Sequence, residues 1–162
     1  MHISQLIQKA IEFDSGDARR IQHFLKVYQF AALIGTLEKI PAAQQEALES
    51  AAILHDIGIH AAEEKYGSSA GNYQEIEGPA IAHQILEEFS CSPQFIDRVC
   101  FLIGHHHTYN QVDGVDYQIL IEADFLVNAY EDNLTPSAIK TAAARLFKTK
   151  NGTLLLKTIY NI

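Results

Sequence analysis

The adjacent residues His55 and Asp56 close an apolar segment, residues 51–54, and are followed shortly by Gly58. Neighbouring residues on a helix point about 100° apart, so both side chains can reach one metal ion only from a helix end that lines a cavity. An imidazole and a carboxylate are ligands that divalent transition metals accept. We therefore predict that His55 and Asp56 lie at the end of a helix and bind a metal.

A second candidate ligand, His23, precedes this pair in the chain. His23, Val27 and Ala31 recur at intervals of four residues, so they share one face of a predicted helix. A lone histidine on such a face is more often a hydrogen-bonded core residue than a metal ligand. The presence of the His55-Asp56 pair reverses that preference and favours a ligand.

The third candidate, Asp124, lies between the apolar residues Ala123 and Leu126. A carboxylate on a buried helix face needs a compensating charge, which a metal would provide. The alternative is an ordinary charge on an exposed helix. Asn128 follows one turn later on the same face, where it could orient a ligand or touch a substrate.

The order of His23, His55-Asp56 and Asp124 resembles the H…HD…D ligand order of the HD superfamily of metal-dependent phosphohydrolases. The resemblance extends from about His23 to Asn128. It implies a mixed nitrogen and oxygen site for one or two divalent transition metals, Mn, Fe, Co, Ni or Zn. If two ions bind, the resemblance makes Asp56 the catalytic bridging carboxylate.

Three consecutive histidines, His105, His106 and His107, stand at a second predicted helix end. Many two-metal members of the family place one or two further ligands at this position. His106 fits the pattern best, and we include His105 with it as a predicted ligand. The sequence does not separate the roles of His105 and His107, and a solvated loop is the alternative for all three.

The remaining ligand of two-metal members is often a histidine just before a helix that starts with a Gly-Pro-like sequence. Here Glu77 precedes Gly78-Pro79, so the family pattern is broken. A carboxylate can still bind a hard divalent metal, and we predict Glu77 as the ligand from its register. His83, farther along the same predicted helix, is the alternative.

Lys65 is the only cation in the segment 61–69, which is rich in small residues toward its end. Residues 59–77 have weak periodicity, so we predict a long functional loop there. Lys65 would then act in catalysis by closing over the cavity and holding a substrate phosphate. The alternative is a solvated lysine that pairs with a nearby glutamate.

Helical periodicity dominates the chain and predicts an all-α fold. Ile3, Leu6, Ile7, Ala10 and Ile11 form one amphipathic stripe. Predicted caps and starts at Asp17, Pro41, Pro79, Ser92-Pro93, Asp113-Gly114 and Thr135-Pro136 divide the chain into a bundle of about six to eight helices. We expect one HD domain over residues 1–162, with its motif-bearing core at about 20–130 and C-terminal helices at 135–162.

The chain of 162 residues carries a formal net charge of −8 and has no basic run. This composition argues against a nucleic-acid polymer as partner, because phosphate backbones are bound by clustered Lys and Arg. The sequence has no signal-peptide pattern and no apolar stretch of membrane-spanning length, so we expect a cytoplasmic protein that does not bind membranes. Many exposed helix faces leave room for a homodimer.

These features favour a metal-dependent phosphohydrolase that acts on a nucleotide or another small phosphate ester through a metal-activated water. A di-iron oxygenase on the same scaffold is the first alternative, since some HD branches use similar ligands with O₂. A non-catalytic module that binds a metal or ligand for regulation is the second.

Overall fold

The computed structural model describes residues 2–162, and these residues form nine α-helices and no strand. The predicted all-α class is confirmed, with one helix more than the expected range. The helices are α1 (Ile3–Phe13), α2 (Ala18–Glu38), α3 (Ala42–Leu54), α4 (Ile59–Tyr66), α5 (Gly71–Glu88), α6 (Pro93–Ile103), α7 (Val115–Glu131), α8 (Pro136–Leu146) and α9 (Lys150–Tyr160).

The centre of the bundle is formed by α2, α3 and α7, which pack against one another. One face of α2 is buried, with Val27 and Ala31 fully inaccessible, as the four-residue spacing predicts. The second half of α3 and most of α7 are buried on nearly all sides. Polar residues on these central segments are therefore enclosed by apolar neighbours and need specific partners.

Several helix starts follow the predicted capping chemistry. The side chain of Asp17 accepts a hydrogen bond from the backbone N–H of Arg20 at 3.1 Å and caps α2. The hydroxyls of Ser92 and Thr135 accept from backbone N–H groups at the starts of α6 and α8. Each cap satisfies a donor that has no partner within its own helix.

The predicted long loop at residues 59–77 is wrong, because this segment is mostly helical. It contains all of α4 and the beginning of α5, which leaves only residues 67–70 between the two helices. The prediction that Pro79 starts a helix is also wrong, since Pro79 lies inside α5. A proline interrupts the internal hydrogen bonds of a helix, but α5 continues through it with α4 and α6 packed alongside.

Two glycines bring α4 and α5 into backbone contact. Gly58 directly precedes α4, and a Cβ placed on it would lie 2.5 Å from the backbone nitrogen of Gly78. A Cβ on Gly78 would in turn lie 2.8 Å from the Ile103 side chain on α6. The absence of side chains at these positions therefore sets the spacing of α4, α5 and α6.

Within residues 2–162, no helix combines the length and the apolar character that crossing a bilayer requires. The predicted single domain includes Met1, which lies outside the described residues. The domain boundaries and the homodimer stay predictions.

Candidate metal centre

Three central helices bring the first group of predicted ligands together. His23 lies in the second turn of α2, His55 and Asp56 directly follow α3, and Asp124 lies in the middle of α7. Because α2 packs against both α3 and α7, these side chains meet at one end of the bundle core. The sequence prediction that the His55-Asp56 pair stands at a helix end agrees with this arrangement.

The donor atoms of this group face one another at short range. Nε2 of His23 lies 3.2 Å from Nε2 of His55 and 3.2 Å from Oδ1 of Asp124. Oδ2 of Asp56 lies 3.5 Å from Nε2 of His23 and 3.5 Å from Nε2 of His55. Two ring nitrogens and two carboxylates thus converge on one point.

The other ring nitrogens are held by hydrogen bonds that fix the rings. Nδ1–H of His55 donates to the carbonyl oxygen of Ala52 at 2.9 Å, and Nδ1–H of His23 donates to Oε2 of Glu131 at 2.9 Å. In the neutral rings, both Nε2 atoms therefore present lone pairs to each other. Two facing lone pairs repel each other unless a proton or a metal ion lies between the nitrogens, and the donor set suits a divalent metal.

The electrostatics of the group also favour a positive charge. Burial opposes charging of His23, but the hydrogen bond to Asp124 and the charges of Asp56 and Asp124 raise its pKa to about 9. The same two carboxylates raise the pKa of His55 against its complete burial. Burial also opposes ionisation of both aspartates, yet the neighbouring histidines hold the pKa of each carboxyl well below its usual range. The carboxylates are therefore ionised and available to a cation.

A second group shares Asp56 with the first. Oδ1 of Asp56 lies 3.5 Å from Nε2 of His106. Nδ1–H of His106 donates to the carbonyl oxygen of Ile103 at 2.8 Å, and its Nε2 is buried without a hydrogen-bond partner. A ring nitrogen of His107 lies within 4.8 Å of the donor atoms of Asp56 and His106. An unpartnered buried nitrogen aimed at a carboxylate fits a missing metal, so the two oxygens of Asp56 face two potential metal positions.

The loop that carries His106 and His107 is fixed by residues that sequence reasoning did not single out. Oε1 of Glu75 accepts from the backbone N–H of His107 at 2.9 Å and from the hydroxyl of Thr108 at 3.0 Å. The buried hydroxyl of Tyr117 contacts the carbonyl oxygens of His105 and Thr108. No short motif connects these partners, because they come from separate helices.

His105 points away from both groups, contrary to its predicted place among the ligands. Its Nδ1–H donates to the carbonyl oxygen of Phe101 at 2.7 Å, and its ring stacks on Phe101 with centroids 4.2 Å apart. The helical turn at the end of α6 directs successive side chains to different sides. As a result, His106 and His107 belong to the second group, and His105 does not.

Glu77 and its alternative, His83, also lie outside both groups. The carboxylate of Glu77 accepts from Nζ of Lys65 at 2.8 Å and from the hydroxyl of Tyr66 at 2.7 Å. His83 is exposed on α5, with Nδ1 3.5 Å from Oε2 of Glu87. The structure therefore gives neither residue a position next to the other predicted ligands.

Lys65 is a solvent-exposed lysine that pairs with a nearby glutamate, which is the alternative to its predicted catalytic role. Its side chain is 59% exposed and forms an ion pair with Glu77. It lies on α4, not in a loop, and it is not among the residues that line the cavity beside Asp56. The structure therefore does not place Lys65 over the cavity.

A cavity of about 300 Å³ opens beside His23 and Asp56. Its cations are Arg19 and Arg20, from the first turn of α2. Asn128 also contributes to the wall, and its Nδ2–H donates to Oδ1 of Asp124 at 2.8 Å. The complete lining is Asp17, Arg19, Arg20, His23, Asp56, Ile59, Glu63, Ser69, Asn128 and Glu131.

The guanidinium of Arg20 is held in place by two acidic residues of the cavity wall. It donates to Oδ2 of Asp17 at 2.8 Å and to Oε1 of Glu63 at 2.7 Å. Arg19 is exposed and forms no ion pair within the described part of the chain. The cavity therefore contains one fixed guanidinium and one that is free to bind an anion.

Comparisons with known proteins identify the fold and the family of this chain. The family model of the HD domain matches residues 20–146. A crystal structure of a predicted HD superfamily hydrolase from an uncultured Thermotogales bacterium has a TM-score of 0.67 and 24% sequence identity, over 98% of this chain and 83% of that chain. This likeness shows a shared fold. No curated protein matches the chain.

Proposed function

This chain belongs to the HD domain family, and from that premise we propose that it is a metal-dependent phosphohydrolase acting on a nucleotide or another small phosphate ester. The observation that carries the proposal is the position of Asp56. One of its carboxylate oxygens faces His23 and His55, and the other faces His106. A carboxylate shared between two sets of imidazole nitrogens supports a two-metal centre.

The first metal would be held by the group that contains Asp124, and the second by the group that contains His106. Mixed imidazole and carboxylate ligands suit Mn²⁺, Fe²⁺, Co²⁺, Ni²⁺ or Zn²⁺. If divalent ions were bound there, they would supply a water nucleophile at neutral pH and would neutralise charge on a phosphoryl oxygen. The ligands of the two proposed sites are His23, His55, Asp56 and Asp124 for the first, and Asp56, His106 and His107 for the second.

Arg19 and Arg20 give the cavity the chemistry to bind a phosphate. A guanidinium offers paired N–H donors that match phosphate oxygens. Asp17 and Glu63 fix the orientation of Arg20, whereas Arg19 is free to move toward a substrate. The volume of about 300 Å³ favours a small molecule over a polymer.

The side chains around the first group have supporting roles in this proposal. Glu131 orients the ring of His23 from the side away from the other ligands, and Asn128 donates to Asp124. Both residues also line the cavity. They would hold ligand geometry fixed while a substrate enters and a product leaves.

Phosphate release by the anaerobically purified protein tests the proposal. The protein would be supplied with Mn²⁺ or Fe²⁺ and assayed against a panel of nucleotides and small phosphate esters. We expect Asp56→Asn to abolish both phosphate release and metal binding. The matched carboxylate variant, Glu77→Gln, should retain phosphate release. Glu77 is a suitable control because it pairs with Lys65 outside both groups.

Two results would contradict the proposal. Turnover by Asp56→Asn at the wild-type rate would show that the reaction does not depend on this centre. Absence of phosphate release with metal demonstrably bound would favour the di-iron oxygenase, which oxygen-uptake assays would detect. Absence of any turnover there would favour a non-catalytic binding module.

A further inference from the structure

Gln74 is a buried polar side chain in the first turns of α5, next to the second group. It is 7% exposed. Its Nε2–H donates to the carbonyl oxygen of Ser69 at 2.7 Å, and its Oε1 lies 3.4 Å from Nε2 of His107. No motif connects Gln74 with the histidines, because 33 positions separate it from His107 in the chain.

These two contacts determine which end of the amide faces the histidine. The carbonyl oxygen of Ser69 can only accept a hydrogen bond, so it must face the amide nitrogen of Gln74. The amide oxygen, which also only accepts, then faces His107. It follows that Nε2 of His107 carries the proton in this contact, and that Nδ1 of the neutral ring has the free lone pair.

His107 therefore has the opposite tautomer to its neighbours. His55 and His106 donate from Nδ1 to backbone carbonyl oxygens, which leaves Nε2 directed at Asp56. His107 is buried less deeply, and no carbonyl contact of this kind fixes its Nδ1 among the described residues. Its tautomer depends on a side chain instead.

The backbone of Gly71, at the start of α5, packs against the ring of His107. A Cβ on Gly71 would lie 2.5 Å from Cδ2 of His107 and 3.0 Å from Nε2. Cγ would lie 2.6 Å away, so the ring packs against α5 through Cδ2, Cγ and Nε2, and Gln74 on the same helix accepts the Nε2 proton. The remaining ring atoms, Nδ1 and Cε1, lie farther from Gly71.

We propose that Gln74 is a positioning residue that holds His107 as the Nε2–H tautomer and so presents Nδ1 to the second metal position beside Asp56 and His106. This inference rests on the two-metal arrangement proposed above. It predicts that the second site depends on Gln74, while the first site, on α2, α3 and α7, does not.

The tautomer can be observed directly in the metal-free wild-type protein. Two-bond ¹H–¹⁵N correlation spectra of protein labelled with ¹⁵N-histidine, recorded at pH 8, distinguish the protonated ring nitrogen from the other one. The signals of His107 would be assigned by their absence in His107→Gln. We expect a proton on Nε2, and a proton found on Nδ1 would overturn the proposal without any variant of Gln74.

Three variants then test the role of Gln74. Gln74→Met keeps the shape of the side chain but removes the acceptor, so we expect a mixture of tautomers. Gln74→Glu keeps an acceptor oxygen, so we expect it to restore the Nε2–H form. Gln84→Met, on an exposed position of the same helix, is the matched control and should resemble the wild type.

Calorimetric titration with Mn²⁺ alone gives a second readout. We expect Gln74→Met to weaken binding of the second equivalent by about 10–100-fold and to leave the first equivalent unchanged. An unchanged tautomer and an unchanged second affinity in Gln74→Met would overturn the proposal. Neither measurement involves substrate, so a failure of the phosphohydrolase assay alone would count against the proposed function and not against this inference.

Discussion

Glu131 and His23 are 108 positions apart in the chain, yet Oε2 of Glu131 lies 2.9 Å from Nδ1 of His23. Lys26 contacts the other oxygen of the same carboxylate from the solvent side. Glu131 therefore lies between a surface cation and a candidate metal ligand. Its hydrogen bond fixes the His23 ring with Nε2 directed at His55, Asp56 and Asp124.

Replacing Glu131 should weaken the first metal site. Loss of a carboxylate that orients a metal-bound histidine typically lowers metal affinity by about 10–100-fold, and we expect an effect of this size for Glu131→Leu. Titration with Mn²⁺ would measure it. Lys26→Met is the control, because it removes the outer contact of Glu131 but not the bond to His23. Equal weakening by both variants would contradict the assigned role.

Arg19 should contribute more to substrate binding than Lys65 does. Truncating a charged donor to a phosphate costs about 1.5–3 kcal/mol, so Arg19→Ala should raise KM by about tenfold or more. Lys65→Ala should leave kcat and KM nearly unchanged, since Lys65 pairs with Glu77 and does not line the cavity. Steady-state kinetics on a substrate found in the panel would compare the two. A larger loss of substrate binding in Lys65→Ala than in Arg19→Ala would support the predicted role of Lys65 in holding a substrate phosphate.

Tyr117→Phe should destabilise the protein. The Tyr117 side chain is fully buried, and its hydroxyl contacts the carbonyl oxygens of His105 and Thr108. Removing the hydroxyl leaves the carbonyl oxygen of Thr108 without this donor, while that of His105 keeps a hydrogen bond from the N–H of Thr108. We expect loss of the hydroxyl contact to cost about 1–3 kcal/mol of unfolding free energy. Urea denaturation would measure the loss. Tyr130→Phe should have almost no effect because Tyr130 is 73% exposed, and equal midpoints for the two variants would contradict the prediction.

Asp113 should give the folded protein a stability that depends on pH. The hydrogen bonds from Arg98 lower the pKa of Asp113 below its usual value. Its contribution is therefore complete above the unfolded pKa of about 4 and is lost as the pH falls through the lower folded pKa. Because the carboxylate is half exposed, the contribution should be below about 1 kcal/mol.

Denaturation of Asp113→Asn and wild type at several pH values would test this. We expect the difference in unfolding free energy at pH 7 to shrink steadily below about pH 4. Asp132→Asn is a suitable control, as Asp132 is exposed and forms no ion pair among residues 2–162. A difference that persisted at low pH would assign the effect to packing and not to charge.

The first group could be predicted from sequence because each member stands on a strongly periodic helix or at its end. His23 and Asp124 lie on faces with clear apolar spacing, and the His55-Asp56 pair ends an apolar run. Such faces must turn toward the core, so the helices carry these polar residues into a common interior. Spacing therefore indicated that these side chains face the core, and the resemblance to the HD ligand order grouped the four residues into one site.

The second group could not be predicted in the same way, because it depends on local backbone geometry. The Gly78-Pro79 sequence suggested a helix start, which would have placed Glu77 at its entrance. The helix starts at Gly71 instead, so Glu77 lies in its second turn and faces Lys65. Among the consecutive histidines, the turn after α6 decides which rings point inward, and composition carries no information about that turn.

The contact between Gly58 and Gly78 has a consequence for how this end of the molecule can move. The two backbones touch without any side chain between them, so no rotamer change can separate them. Separating the two backbones requires α4 and α5 to move apart as whole helices. Such a movement is a cooperative opening and not a local fluctuation. Amide hydrogens at this contact, whose Gly58 side closely follows His55 and Asp56 in the chain, should consequently exchange with solvent only as slowly as the two helices come apart.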